Sequence, residues 1–131
     1  MNYSILVIDD DMSFLRWMDS QLSREGFAVI AAASGRLAMD VLKQKEIDLV
    51  ITDMHMPVVD GYDIVSHVKE LYPRMPILIS TANSVNPRVR TALQFERVGF
   101  VRKPIDPANL KEAMLAIAPT LFASASSQSA A

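Results

Sequence analysis

Ile5-Leu6-Val7-Ile8-Asp9-Asp10-Asp11 is the stretch that decides the fold: four apolar residues that stop abruptly on acids. The same pattern returns along the chain. Leu49-Val50-Ile51-Thr52 ends on Asp53, Ile77-Leu78-Ile79-Ser80 on Thr81, and Phe100-Val101-Arg102 on Lys103-Pro104. Apolar runs this short, separated by helical patterns, read as buried strands of a parallel sheet. Their carboxyl ends lie on one edge of such a sheet, where ligands bind. The edge would gather three carboxylates, a hydroxyl and an ammonium. That set suits a divalent cation and a phosphoryl group carried on an aspartate.

Helical patterns fill the intervals. Asp11 can cap a helix to about Arg24, with Phe14, Leu15, Met18 and Leu22 on one face, ended by Gly26. Ala28–Ala32 makes the second strand, and Ser34 caps a helix that turns Leu37, Ala38, Val41 and Leu42 inward. After the loop with Pro57 and Asp60-Gly61, a third helix runs to about Leu71 on an apolar stripe of Ile64, Val65, Val68 and Leu71. Pro73 and Pro76 punctuate the next turn. Asn86-Pro87 opens a fourth helix that buries Val89, Ala92 and Leu93. Asp106-Pro107 opens the last, with Leu110, Ala113, Met114 and Ile117 on one face. Right-handed crossovers then place helices on both sides of the sheet. The expectation is an α/β, single-domain (βα)5 doubly wound parallel sheet of flavodoxin-like strand order 2-1-3-4-5. Its switch point lies between the strands that end in Asp9-Asp10 and in Asp53.

Bulk properties agree with one domain. The chain has 131 residues, 50% hydrophobic and 21% charged, with net charge -2 and no cysteine. That length supports one core, not two. The charge gives no reason to expect direct nucleic-acid binding, and the missing cysteines exclude disulfides and thiolate metal sites. No apolar run approaches the ~20 residues of a membrane span, and no basic leader precedes the first strand. A cytoplasmic protein is the expectation. Residues 1–122 read as the domain, and residues 123–131 as a Ser/Ala-rich tail or a cut linker.

Over roughly residues 3–118 the chain resembles the receiver domain of two-component response regulators. The residues that carry the likeness are Ile5–Asp11, Asp53-Met54-His55-Met56-Pro57-Val58-Val59-Asp60-Gly61, Ser80-Thr81-Ala82 and Phe100–Pro104. In order and at strand ends, they form a highly specific set. The resemblance implies that Asp53 is the phosphoacceptor, taking its group from a sensor histidine kinase or a histidine phosphotransfer protein. It also implies a Mg2+ site in which Asp10 is a direct ligand and Asp9 acts through water, with Asp53 and the main-chain carbonyl of His55 completing the protein ligands. Lys103 would pair with the phosphoryl oxygens, and with Asp53 beforehand, and the Lys103–Pro104 bond would be cis. Thr81 would donate its hydroxyl to the phosphoryl group. Phe100 would follow by turning from exposed to buried, so that the face of the fourth helix, fifth strand and fifth helix signals to a downstream effector domain or protein. His55 and Asn83 would tune phosphate lifetime. Such a module catalyses its own phosphotransfer and dephosphorylation without turning over an external substrate.

Some residues depart from the pattern. Glu96-Arg97 stands where such domains carry Gly-Ala, so the fourth helix is expected to run on. Pro87 fixes the start of that helix, and Arg88, Arg90, Arg97 and Arg102 make the region basic. Bland readings exist for each site residue: helix capping for Asp9 to Asp11, a turn cap for Asp53, a strand-end lysine for Lys103, core packing for Phe100. Among whole-protein alternatives, a degenerate receiver acting as a scaffold conflicts with the complete set of acids, hydroxyl and lysine. A phosphatase-like hydrolase would carry Asp-x-Asp after the first strand, whereas here the acids are adjacent. A flavin site would need a Ser/Thr-rich phosphate loop after the first strand, which is lacking.

Overall fold

The computed structural model describes residues 2–82 and 86–122. Asn83 and the tail 123–131 lie outside the described residues. Strands and helices alternate as β1 (Ser4–Ile8), α1 (Met12–Arg24), β2 (Ala28–Ala32), α2 (Gly35–Gln44), β3 (Leu49–Asp53), α3 (Gly61–Leu71), β4 (Ile77–Thr81), α4 (Pro87–Ala92), β5 (Val98–Arg102) and α5 (Pro107–Ile117). The five strands form one parallel sheet in the order β2-β1-β3-β4-β5, as the sequence leads one to expect.

Burial on both faces explains the unbroken apolar runs. Alternate residues of each strand enter opposite cores. Ile5, Val7, Leu49, Ile51, Leu78 and Val101 meet α1 and α5. Leu6, Ile8, Val50, Ile77 and Ile79 meet α2, α3 and α4. Each of these helices starts on a side-chain oxygen that accepts a backbone N–H of the first turn: Asp11, Ser34, Asp60, Asn86 and Asp106. Gly26 closes the α1–β2 turn at φ +92°, a conformation that costs a glycine nothing.

Three expectations fail, each for a local reason. Leu37 and Leu71 are exposed, not inward. Leu37 lies in the first turn of α2, where Ala38 and Leu42 take the face toward the sheet. Leu71 is the last residue of α3, where the sheet no longer covers the helix, and Lys69 takes the buried place instead. The Lys69 ammonium survives burial by donating to the carbonyls of Pro73, Met75 and Glu96. Burial lowers its pKa from the usual lysine value. Finally, α4 stops at Ala92 instead of running on. Arg97 adopts φ +59°, and its carbonyl accepts the Ile77 N–H at 3.0 Å, which turns the chain into β5.

Candidate functional site

The strand register builds the site. Ile8 pairs with Ala32 and Thr52, Asp53 with Ser80, and Thr81 with Arg102. Asp9, Asp53, Thr81 and Lys103 are therefore the last residues, or the first beyond the last, of four neighbouring strands. The structure brings all four sequence-identified positions to one edge.

Asp9 is anchored on every side. Its N–H donates to the Ala32 carbonyl at 3.1 Å. Its Oδ1 accepts the Asp11 N–H at 2.9 Å, and its Oδ2 accepts the Lys103 ammonium at 2.6 Å. It is only 1% exposed. Asp53 is 7% exposed and lies 3.5 Å from the same ammonium through Oδ1. Lys103 is thus within ion-pair reach of Asp53, as the sequence suggests, but its closer partner is Asp9. Its own N–H donates to the Thr81 carbonyl at 2.8 Å, and the Lys103–Pro104 bond is cis. Thr81 is buried, and Phe100 of β5 stands 38% exposed.

Carboxylate oxygens of Asp9, Asp10 and Asp53 all lie within 4.8 Å of one another. Asp10 is exposed and Asp9 and Asp53 are buried, so the cluster opens to solvent on one side. Burial raises the Asp53 pKa, and the Asp9 carboxylate raises it further. Lys103 and the N–H groups of His55 and Met54 pull it back only in part. Oxygen-only donors with a surplus of negative charge fit a hard divalent cation of the Mg2+ type.

The loop after Asp53 is tightly laid. The Gly61 N–H donates to the Met54 carbonyl at 3.0 Å. A Cβ on Gly61 would fall 2.5 Å from the Asp53 carbonyl oxygen and 2.8 Å from the Met54 Cα, so this close approach demands glycine. Val58, at the tip, is 100% exposed with φ +70°, a left-handed conformation that strains a β-branched residue. His55 is an exposed loop residue.

Two features escape the sequence reading. Arg88 is not part of a free basic face. Its guanidinium clasps Asp60 with Nε to Oδ2 at 2.9 Å and Nη2 to Oδ1 at 3.0 Å. Asp63 stands 3.5 Å away, and the group lies 4.7 Å above the Tyr62 ring. This ties the start of α4 to the start of α3. Partners 28 residues apart leave no local signal. The second is Phe14, whose ring centroid lies 4.2 Å from the Lys103 ammonium. In the sequence it is one more apolar residue of α1.

Residues 5–115 match the family described as the response regulator receiver domain. The transcriptional regulatory protein GlrR of Escherichia coli (strain K12) is 34% identical over 110 residues, 84% of this chain and 25% of GlrR. The chain therefore spans about a quarter of the length of that curated relative. The fold superposes on the chemotaxis protein CheY4 of Vibrio cholerae with a TM-score of 0.83 at 26% identity, covering 89% of this chain and 99% of CheY4. It superposes on a response regulator receiver domain protein from Clostridium thermocellum with a TM-score of 0.80 at 30% identity, covering 88% and 93%.

Proposed function

The chain belongs to the response regulator receiver domain family, and on that premise we propose that Asp53 is its phosphoacceptor. One observation carries the reading: a buried carboxylate with a raised pKa stands 3.5 Å from an ammonium and beside two further carboxylates. An Asp53 oxygen attacks phosphorus in line, a P–O bond forms, and the P–N bond of a phosphohistidine donor breaks. The departing imidazole nitrogen takes up a proton. Such transfer depends on alignment and charge neutralisation more than on acid–base help. Lys103 neutralises part of the developing charge, moving from Asp9 toward the phosphoryl oxygens. Thr81 donates its hydroxyl to the same group, and Phe100 turns inward to mark the change on the face of α4, β5 and α5. Asp10 directly, Asp9 through water, Asp53 and the His55 carbonyl would hold Mg2+. That ion supplies the remaining positive charge when bound. Water later attacks phosphorus, the P–O bond to Asp53 breaks, the carboxylate returns and inorganic phosphate leaves with the proton of the water, with His55 and Asn83 tuning how fast.

The donor is a sensor histidine kinase or a histidine phosphotransfer protein, and the setting cytoplasmic. Among the described residues no helix is long and apolar enough to cross a membrane. Because GlrR is a transcriptional regulatory protein four times as long as the matched region, the output belongs to a downstream effector domain or protein.

Intact-mass measurement after incubation with acetyl phosphate tests the reading. Wild type should gain one phosphoryl group in the presence of Mg2+ and little in its absence, and Asp53→Asn should gain none. A folded, Mg2+-loaded wild type that gains none from acetyl phosphate or from a phosphorylated histidine donor would leave a scaffold role.

A further inference from the structure

An ammonium presents three N–H groups, and the acids at the site engage Lys103 on only part of its surface. Asp9 Oδ2 accepts at 2.6 Å and Asp53 Oδ1 lies at 3.5 Å. The ring of Phe14, at 4.2 Å to its centroid, covers a further side, and the lysine side chain is left only 20% exposed. Phe14 sits in the first turn of α1, where its N–H donates to the capping Asp11 at 3.2 Å. Its half-buried side chain packs against the core between the sheet, α1 and α5. One turn on, the Trp17 ring stands 6.3 Å away at 32° and backs it.

We propose that Phe14 is a positioning residue for phosphotransfer: its ring face holds the Lys103 ammonium at the junction of Asp9 and Asp53. The proposal rests on the reading of Asp53 as acceptor. A lysine is a strongly hydrated charge on a flexible four-carbon stem, and its default is to extend into water. An aromatic face attracts the ammonium while excluding water from that side. A leucine would exclude water without attracting the charge. A third carboxylate would attract it so firmly that it would compete with the arriving phosphoryl group. A ring is weak and non-directional enough for the ammonium to slide toward the phosphoryl oxygens while still resting on it. The same contact gives Trp17, the chain's single tryptophan, a place: it buttresses the ring that holds the lysine.

The test replaces Phe14 with mono-, di- and trifluorophenylalanine, which drain the ring face of negative charge at nearly constant shape. The rate of acetyl phosphate-driven phosphorylation at saturating Mg2+ should fall stepwise, by about two- to five-fold over the series, the span of a part-exposed cation–π contact. The melting temperature should hold. Phe14→Leu should match the trifluoro variant, and Phe14→Tyr should stay near wild type. A flat rate across the series, or a rate that falls only in step with the melting temperature, overturns the proposal. A second readout needs no phosphodonor: the ε-methylene protons of Lys103 should be shifted upfield by the ring current and lose that shift in Phe14→Leu. A folded wild type without the shift overturns the contact itself. A wild type with the shift but no phosphoryl gain on Asp53 overturns the reading of the site, and the positioning role with it.

Discussion

Asp53 and Asp60 are the same residue type at the two ends of one short loop, and the fold treats their charges in opposite ways. Asp53 is buried beside a second carboxylate, and both effects raise its pKa; Lys103 and two N–H groups do not restore the balance. Asp60 also feels burial, but the Arg88 guanidinium and the Asp63 N–H outweigh it and hold the carboxyl below the usual carboxylate range. Asp60 has every partner a structural acid needs. It caps α3, completes a reciprocal capping box with Asp63 and receives Arg88 from α4. Asp53 is left short of positive charge. A carboxylate kept in deficit fits the proposed cation site and the proposed phosphoryl acceptor. The difference teaches that, across one loop, the acid with a structural task is the satisfied one and the acid proposed as acceptor the one left wanting.

Gly61 lies between the two and offers the largest break. In Gly61→Ala the new methyl would meet the backbone of Asp53 and Met54 at 2.5 and 2.8 Å. Neither atom can give way as a side chain could, so the loop must shift. The expected loss is about 3 kcal/mol in urea denaturation, with the Mg2+ response weakened as Asp53 moves. A loss below about 1 kcal/mol would show that the loop relaxes freely.

Asp53→Asn sharpens the contrast in metal-free buffer. Because the native Asp53 pKa lies above the unfolded value near 3.8, the native state holds the extra proton between the two values. The carboxylate's burden is absent in acid and complete above the native pKa. The asparagine variant should therefore melt roughly 2–5 °C higher than wild type at neutral pH, and lose that advantage as pH falls through the window. Millimolar Mg2+ should raise the wild-type melting temperature and leave the variant nearly unmoved.

Asp60→Ala should behave oppositely. Its native pKa is depressed, so its contribution is present above about 3.8 and is lost as pH falls through the lower native value. The cost at neutral pH should be about 1 kcal/mol, the worth of an N-cap, and should shrink in strong acid to what an uncharged cap retains. Arg88→Ala should have the smallest effect, because an exposed ion pair is screened by water and salt. Its melting shift should be smaller than that of Asp60→Ala and shrink further in 1 M salt.

Legibility in the sequence followed how local each determinant is. The strands were legible because burial on both faces leaves no polar position in Ile5–Ile8 or Ile77–Ile79. The helix starts were legible because Asp11, Ser34, Asp60, Asn86 and Asp106 cap within their own first turns. The gathering of Asp9, Asp53, Thr81 and Lys103 was legible because a parallel sheet puts strand ends on one edge whatever else the chain does. Leu37 and Leu71 misled because helical periodicity locates a stripe without showing where the sheet beneath it ends. Lys69 did leave a trace: it continues the spacing of Ile64, Val65 and Val68, yet a charged residue on an apolar face reads as solvent-facing until its carbonyl partners are seen. The run-on of α4 failed because nothing local announces that Arg97 will adopt φ +59°.

By itself the sequence determined the alternating architecture, the strand order and which residues meet at the carboxyl edge of the sheet, since periodicity, capping and crossover handedness act over a few residues or follow general rules. The tertiary structure alone decided which partners those residues take: Lys103 closer to Asp9 than to Asp53, Arg88 on Asp60, Phe14 beneath the ammonium. Those choices turn on ångström differences between groups separated by 28 to 94 residues. Such differences are fixed by how the layers pack, after every local preference has been met.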